Sequence, residues 1–254
     1  MTSPPSKEQG QGIRLYLGGP HPCSYLPDRT ARTLFVDPHL EKDTRLHGHL
    51  QNLGFRRSGD ELYRPDCGAC KACVPIRIPA SRFEPRRIQR RIWRRNAADT
   101  RLTWVPAQLT DEYFDLYYRY IQTRHPDGGM SDPEPDDFER FLTSHWSETH
   151  FLEIRIKGRL MSVAVTDPLP QGLSAVYTFF DPEFDDRSPG VFSVLCQIAE
   201  TRRIGLPWLF LGYWVAGCRK MHYKAEYRPV QLLIDGQWTE FGPGRELMPP
   251  GTAA

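Results

Sequence analysis

Three cysteines at two-residue spacing, Cys67, Cys70 and Cys73, run straight into a short β-branched stretch carrying Arg77, and no other segment constrains this chain as tightly. A CxxCxxC knuckle aims its sulfurs to one side, and Cys23, upstream in HPCSYLPDR, supplies a fourth thiol. The N-terminal MTSPPSKEQGQG has no apolar core of the kind an export signal needs, so these thiols are expected to stay reduced or to bind metal. Three readings are open: an iron–sulfur cluster, a Cys₄ zinc, or free thiols packing a small domain against the rest of the chain. Any metal here would be structural or regulatory, with no part in bond chemistry.

The 254 residues suffice for one large domain or two modest ones, each with a real core. A hydrophobic fraction of 39% and a mean hydropathy of −0.54 describe a soluble protein. No apolar run approaches the roughly 20 residues of a membrane span, and a cytoplasmic location is expected. The net charge of +2 hides a division: residues 1–104 carry 19 Lys and Arg against 10 Asp and Glu, whereas residues 105–254 carry 14 against 21. A basic front and an acidic rear point to a polyanion docking on one side only.

The excess concentrates between Arg82 and Arg101, where eight arginines face only Glu84 and Asp99. Pro85 can open a helix there, with Ile88 and Ile92 as a narrow apolar stripe. Arg86, Arg87, Arg90, Arg91, Arg94 and Arg95 then fill the remaining circumference, and their mutual repulsion predicts nucleic-acid contact.

Periodicity and turn residues predict an α+β fold. IRLYLGGP and TARTLFVD read as strands. Asp37-Pro38 reads as a helix start, with Leu46, Leu50 and Leu53 on one face and Gly54 closing it. FRRSGDELYR reads as a hairpin turning at Ser58-Gly59-Asp60, and Thr103 to Gln108 as a join between units. Thr110 caps a helix whose buried face is Phe114, Tyr117, Tyr120 and Ile121. A long loop, RHPDGGMSDPEP, precedes a helix holding Phe138, Phe141, Leu142 and Trp146. HFLEIRI, LMSVAVTD and LSAVYTFF are strands in a row. The loop DPEFDDRSPG, the helix VFSVLCQIAETRRIG and the strand PWLFLGYW form a single crossover, and VQLLIDGQWTEF is a last hairpin. The expected division is a disordered tail at 1–12, a small cysteine-containing, Arg-rich α/β module at 13–105, a larger domain at 106–242 and a flexible tail at 243–254.

Several motifs, in one order, resemble the N-end-rule aminoacyl-tRNA–protein transferases. They are CSYLPDR, LGFRRSGDELYRPDCGACKACVPIRI and RRIQRRIWRRN in the first part, then YIQTRHPDGGM, VYTFFDP, SVLCQIAE and LGYWVAGCRKMHYKAEYRP. The chain is similar to the family's short bacterial form. That resemblance implies a GNAT-like acyltransferase domain over 106–242. It also implies transfer of leucine from aminoacyl-tRNA to the α-amino group of proteins with N-terminal Asp or Glu, marking them for N-end-rule degradation. The alternatives are arginyl-tRNA as donor to the same acceptors, or an acetyl-CoA-dependent N-acetyltransferase on the same fold. The single glycine of RSPG is a poor match to a pyrophosphate loop. Pro189 departs from the expected pattern, at a helix start where proline is tolerated.

The implied reaction needs no cofactor, because the ester is already activated. It needs a neutral amine (pKa about 7.7–8.0), donors for the oxyanion and a proton for the leaving ribose hydroxyl. Tyr177, Asp181 and Glu226 are the candidates for proton transfer, although Asp181 can equally be a turn cap. His125 and His222 read either as shuttles or as buried imidazoles. Arg77, held by the knuckle strand, is expected to clamp the acceptor's carboxylate, followed by Lys220 and Lys224. Gly190 is expected to offer backbone N–H groups to the terminal phosphates of tRNA. Cys196 reads as core, and no Ser-His-Asp or HExxH pattern supports a hydrolase.

Overall fold

A computed structural model describes residues 12–126 and 132–248. The tail read as disordered lies outside the described residues up to position 11, as do 127–131 of the long loop and 249–254 of the C-terminal tail.

The first part forms a small sheet. After β1 (Leu15–Leu17), a two-residue ribbon of β2 (His21–Pro22) and β3 (Thr30–Ala31) leads to β4 (Thr33–Val36), helix α1 (Thr44–Asn52) and the hairpin β5 (Arg56–Ser58) and β6 (Glu61–Pro65). The antiparallel order is β1-β4-β6-β5, closed over Val36, Leu50, Phe55 and Leu62. The hairpin turns where its residues predict, because Gly59 takes φ +56 and an added Cβ would lie 2.0 Å from the Arg140 carbonyl oxygen. Helix α1 starts later than the Asp37-Pro38 signal. The Asp37 carboxylate accepts from the His39 N–H two residues on (2.9 Å) and so makes a local turn, leaving Asp43 as the cap on Leu46 N–H (2.7 Å).

The rest builds on one eight-stranded sheet. Its elements are β7 (Cys73–Pro79), α2 (Arg87–Ala97), β8 (Thr100–Pro106), α3 (Asp111–Arg124), α4 (Pro135–Leu142), β9 (His150–Ile156), β10 (Arg159–Leu169) and β11 (Gly172–Phe180). There follow α5 (Pro189–Arg203), β12 (Trp208–Val215), β13 (Val230–Ile234) and β14 (Gln237–Phe241). The order is β14-β13-β7-β12-β11-β10-β9-β8, and β11–β12, joined through α5, is the parallel pair among antiparallel neighbours. The knuckle strand β7 threads between β12 and β13, so this sheet draws strands from both sides of residue 105.

Thr103 to Pro106, read as a join, is instead part of edge strand β8. Trp146 lies beyond the end of α4, which stops at Leu142. Pro189 occupies the first position of α5, where its missing N–H costs nothing.

Helices cover both faces. On one, α5 and α2 pack over Leu173, Val194, Leu195, Leu209 and Leu211, with Cys196 buried beside Phe192. On the other, Tyr113, Leu116, Tyr117 and Ile121 of α3 join Phe138 and Leu142 of α4 over Phe151, Val163, Val165 and Phe179. Of the expected stripe Tyr117 and Ile121 are core, whereas Phe114 and Tyr120 are only partly buried and Tyr113 and Leu116 complete the inward face. In α2 the expected stripe is wrong at one position: Ile88 is 49% exposed, while Gln89 and Asn96 are buried and Ile92 and Trp93 pack inward. Two polar side chains take that face because both have partners. Gln89 accepts from Arg86 N–H at 2.8 Å, and the Asn96 amide donates to the Ile92 and Arg187 carbonyls.

A buried ion pair joins the small sheet to the large one. Arg57 of β5 donates to Asp167 of β10 through Nε (2.6 Å) and Nη2 (2.9 Å), with both side chains wholly enclosed. Thr149 adds a hydroxyl to Asp167 at 2.7 Å, and Arg57 also donates to the carbonyls of Gly59 and Thr143. Burial pushes the Asp167 carboxyl up, but Arg57 and its other donors outweigh that and hold it below the usual carboxylate range. No helix among the described residues is long and apolar enough to cross a membrane.

Candidate active site and arginine face

The parallel pairing of β11 with β12 covers only Gly172–Ser174 against Trp208–Phe210. Beyond it β11 runs on to Phe180 and β12 to Val215, so a crevice opens between the two strand ends. Open α/β sheets bind ligands at such carboxyl ends.

Tyr177 of β11 forms one wall. It is hydrogen-bonded to Tyr120 of α3, with ring centroids 6.2 Å apart, and burial raises its hydroxyl far above the ordinary tyrosine range. His125, at the C-terminal cap of α3, stands edge-on to Tyr120 at 5.7 Å. Burial first, then the Lys220 and Arg124 cations, lower its pKa, so the imidazole is neutral at neutral pH. The opposite wall is the 3-10 segment Arg219–Glu226, which brings exposed Lys220 beside His125, and Tyr223, 43% exposed, beside Tyr120. Lys224, buried at 4% exposure, donates to the Tyr213 carbonyl at 2.8 Å. Desolvation and then the Arg56 cation hold its ammonium well below the ordinary lysine value.

The floor is a residue for which the sequence carried no functional reading. Arg56 of β5, partly buried, donates through Nη2 to the carbonyls of Val176 (3.0 Å) and Ala175 (3.5 Å) where β11 loses its β12 partner. Gly212 of β12 makes room for it: the residue has φ +72, and a Cβ there would lie 2.3 Å from the guanidinium carbon.

The other expected site residues stand elsewhere. Asp181, wholly enclosed at the end of β11, accepts from Arg119 (2.9 Å), Arg159 (2.5 Å) and the Glu183 N–H (3.1 Å). Glu226 pairs with Arg86 just before α2, and His222 is exposed. Arg77 lies between the indoles of Trp208 (3.8 Å) and Trp238 (4.1 Å), donating to Gln231 and Asn52. Gly190 is the second residue of α5, its α-carbon facing the Phe180 ring, which itself meets Tyr120 edge-on at 4.9 Å.

Cys23, Cys67, Cys70 and Cys73 line one cavity of about 740 Å³ between the small sheet and β7. Burial pushes the Cys73 thiol up to about 12, and the other three cysteines add to the shift, so all four share one neighbourhood. Donors of the kind that stabilise thiolates reach three of them: Leu26 N–H to Cys23 (3.5 Å), Arg32 N–H to Cys67 (3.4 Å) and Arg29 Nη1 to Cys70 (3.8 Å). Among the described residues no three His, Cys, Asp or Glu side chains converge as a ready metal cage.

The arginine helix presents a separate surface. Arg86, Arg87, Arg90, Arg91, Arg94 and Arg95 are all exposed. Arg86 pairs with Glu226 and Arg95 with Asp186, whereas Arg87, Arg90, Arg91 and Arg94 meet no carboxylate among the described residues. A shallow groove beside them has an apolar floor of Phe83, Trp93, Leu195 and Ile198 between α2 and α5.

Two family descriptions match this chain: "Arginine-tRNA-protein transferase, N terminus" over residues 21–91 and "Arginine-tRNA-protein transferase, C terminus" over 112–234. Relatives named aspartate/glutamate leucyltransferase from Pseudomonas fluorescens, Pseudomonas aeruginosa and Pseudomonas putida are 50%, 51% and 52% identical to it over 226 residues. Each alignment covers 89% of this chain and 96% of the relative. The first match takes in the knuckle and the start of the arginine helix, the second takes in both walls of the crevice, and the chain belongs to the arginine-tRNA-protein transferase family.

Proposed function

We propose that this protein is an aminoacyltransferase that moves leucine from leucyl-tRNA to the α-amino group of proteins beginning with Asp or Glu, marking them for N-end-rule degradation. What carries the reading is the name shared by its half-identical relatives, taken with a crevice that joins a neutral imidazole to unpaired cations. The acceptor amine attacks the ester carbonyl of the aminoacyl-tRNA and forms the C–N bond. The tetrahedral intermediate collapses with cleavage of the C–O bond to the ribose. His125 takes the proton lost by the amine, and Tyr177, through Tyr120, lies in line to return one to the departing ribose oxygen. Asp181 and Glu226, each held by arginine, position the walls. Lys220 supplies positive potential at the mouth of the crevice, and Lys224 deeper within it.

The finer division of the fold belongs to the same reading, with its boundary moved from 105: the cysteine-bearing module keeps the small sheet of β1, β4, β6 and β5, and the GNAT-like domain over 106–242 also takes β7, α2 and β8. The β11–α5–β12 crossover supports the second, with Gly190 in the first turn of α5 on the side where the strands part, positioned for the tRNA's terminal phosphates. The arginines of α2 would track the tRNA backbone.

The reaction itself requires no cofactor. Cys23, Cys67, Cys70 and Cys73 suit zinc or an iron–sulfur cluster by donor type, in a structural or regulatory role. Metal analysis of protein purified without oxygen separates these from packing thiols: about one zinc, or one cluster with visible absorption, per chain supports a metal, and neither supports packing. Metal content unaltered by Cys70→Ser would leave the thiols as packing.

The deciding assay mixes purified protein, an Asp-initiated peptide and either labelled leucyl-tRNA or labelled arginyl-tRNA. Label is expected in the peptide from leucyl-tRNA. Label from arginyl-tRNA alone would move the reading to an arginyltransferase. No label from either, with tight binding of acetyl-CoA, would replace it by an N-acetyltransferase.

A further inference from the structure

We infer that Arg56 is the residue that reads the acidic side chain of the acceptor, pairing with its carboxylate at the floor of the crevice between β11 and β12; this rests on the transferase reading above. Several arginines around the main sheet are already matched. Arg57 pairs with Asp167, Arg155 with Glu112 and Glu153, Arg159 with Asp181, and Arg187 with Asp99. Arg77 is enclosed by two indoles. Arg56 is partly buried and has no carboxylate within ion-pair distance among the described residues. Only Nη2 is engaged, on the two β11 carbonyls, and Nη1 and Nε meet no acceptor among those residues.

Its surroundings deepen the imbalance. Tyr25, Tyr63, Tyr213 and Tyr223 surround the guanidinium, and Lys224, more deeply buried than Arg56, is a second basic group beside it. Two basic groups side by side, with no anion beside them among the described residues, leave a positive potential that an incoming carboxylate would complete. The fold accommodates the arrangement at Gly212, whose missing side chain and positive φ admit the guanidinium against β12. Arg56 is also placed for the chemistry: Tyr223 lies close to both Arg56 and Tyr120, and Tyr120 touches His125 and Tyr177. A residue whose carboxylate meets Arg56 would therefore carry its amine toward the imidazole.

A tRNA phosphate is the weaker candidate. The arginine helix lies on the α5 face of the main sheet, whereas β5 packs on the face of α3 and α4. With Nη2 on the β11 carbonyls, and with Nη1 and Nε separated by Cδ and so not on one edge, the incoming group meets a single N–H: a carboxylate brings a charged acceptor, whereas an amide of the same shape brings a neutral oxygen and an NH₂ that the cation repels. That difference separates Asp and Glu from Asn and Gln.

The test compares Arg56→Gln with wild type, using peptides that differ only in an initial Asp or Asn. In the transfer assay the KM for the Asp peptide is expected to rise about thirtyfold or more, with the KM for leucyl-tRNA little altered and the Asp-over-Asn preference lost. Retained preference, or an equal rise in the tRNA KM, overturns the assignment. Peptide binding to the protein alone, by fluorescence anisotropy, is read in parallel. Wild type that binds the Asp peptide through Arg56 but transfers no leucine would remove the proposed donor and leave this inference standing. Should Arg56→Gln melt below wild type, Arg56→Lys is read the same way. It keeps the charge but loses the guanidinium's reach and its anchor on the β11 carbonyls, so a several-fold rise in the Asp-peptide KM is expected and an unchanged one overturns the assignment.

Discussion

Arg57→Met should lower the stability of this protein by about 3–5 kcal/mol, read as a shift in the denaturant midpoint at neutral pH. The loss comes from Asp167, which would keep its charge in a fully enclosed site with only Thr149 and a distant His47 beside it. Arg57→Met with Asp167→Leu should recover most of that loss, since an apolar pair removes the stranded charge. A single variant within about 1 kcal/mol of wild type would show that the pair does not hold the two sheets together. The same cluster sets an acid limit. Burial lowers His47 to about 4 from an ordinary 6.5, and neither ring nitrogen has a hydrogen-bond partner. The unfolded chain takes up that proton below pH 6.5 and the folded chain does not. Stability is thus intact above 6.5 and falls as pH drops toward 4, by up to roughly 3 kcal/mol. Asp167, held below its ordinary carboxylate value, adds stability that is lost only at lower pH still. His47→Asn should flatten the upper window alone. Because Arg57 follows Arg56, loosening it should also displace the crevice floor.

Which parts of this molecule were readable in advance follows from how locally each is determined. The Gly59, Lys157-Gly158 and Asp235-Gly236 turns are visible because left-handed backbone selects those residues whatever surrounds them. The α3 stripe is visible because 3.6-residue spacing forces one face inward. Asp37 misled because a short acceptor can satisfy a turn as readily as a helix, and nothing nearby decides between them. β8 looked like a linker because an edge strand with one covered face alternates weakly. The insertion of β7 between β12 and β13 depends on pairings 129 residues or more apart, which no window of sequence contains.

The site divides in the same way. Tyr177 and Lys220 stood out by their motifs, and in the fold one lies beside Tyr120 and the other near His125. Arg77 looked like a clamp because its strand is rigid, but rigidity here serves a stack of indoles. Arg56 was hidden as one of two arginines before a hairpin turn, where a pair of surface cations is the ordinary reading. Want of a partner is a property of the folded charge map, invisible to composition. One local signal was available: Gly212 interrupts the apolar strand LFLGYW, and a glycine there marks a close approach by something bulky.

Replacing Arg87, Arg90, Arg91 and Arg94 together with glutamine should weaken leucyl-tRNA binding roughly a hundredfold at about 0.15 M salt and reduce the slope of log affinity against log salt by about 3. These four are chosen because each is exposed and none is matched by a carboxylate among the described residues, so each is free to displace a counterion from a phosphate. Arg86 and Arg95 already hold Glu226 and Asp186, and should contribute less until those partners are removed. The four side chains lie outside the core, so the melting temperature and the KM for an Asp-initiated peptide should stay at wild-type values. That separation distinguishes a docking surface from a structural one: a helix needed only for packing would lose stability and both substrates together. A quadruple variant with an unaltered tRNA KM and an unaltered salt slope would show that the basic front does not grip the donor, and the tRNA would then have to approach through the crevice walls alone.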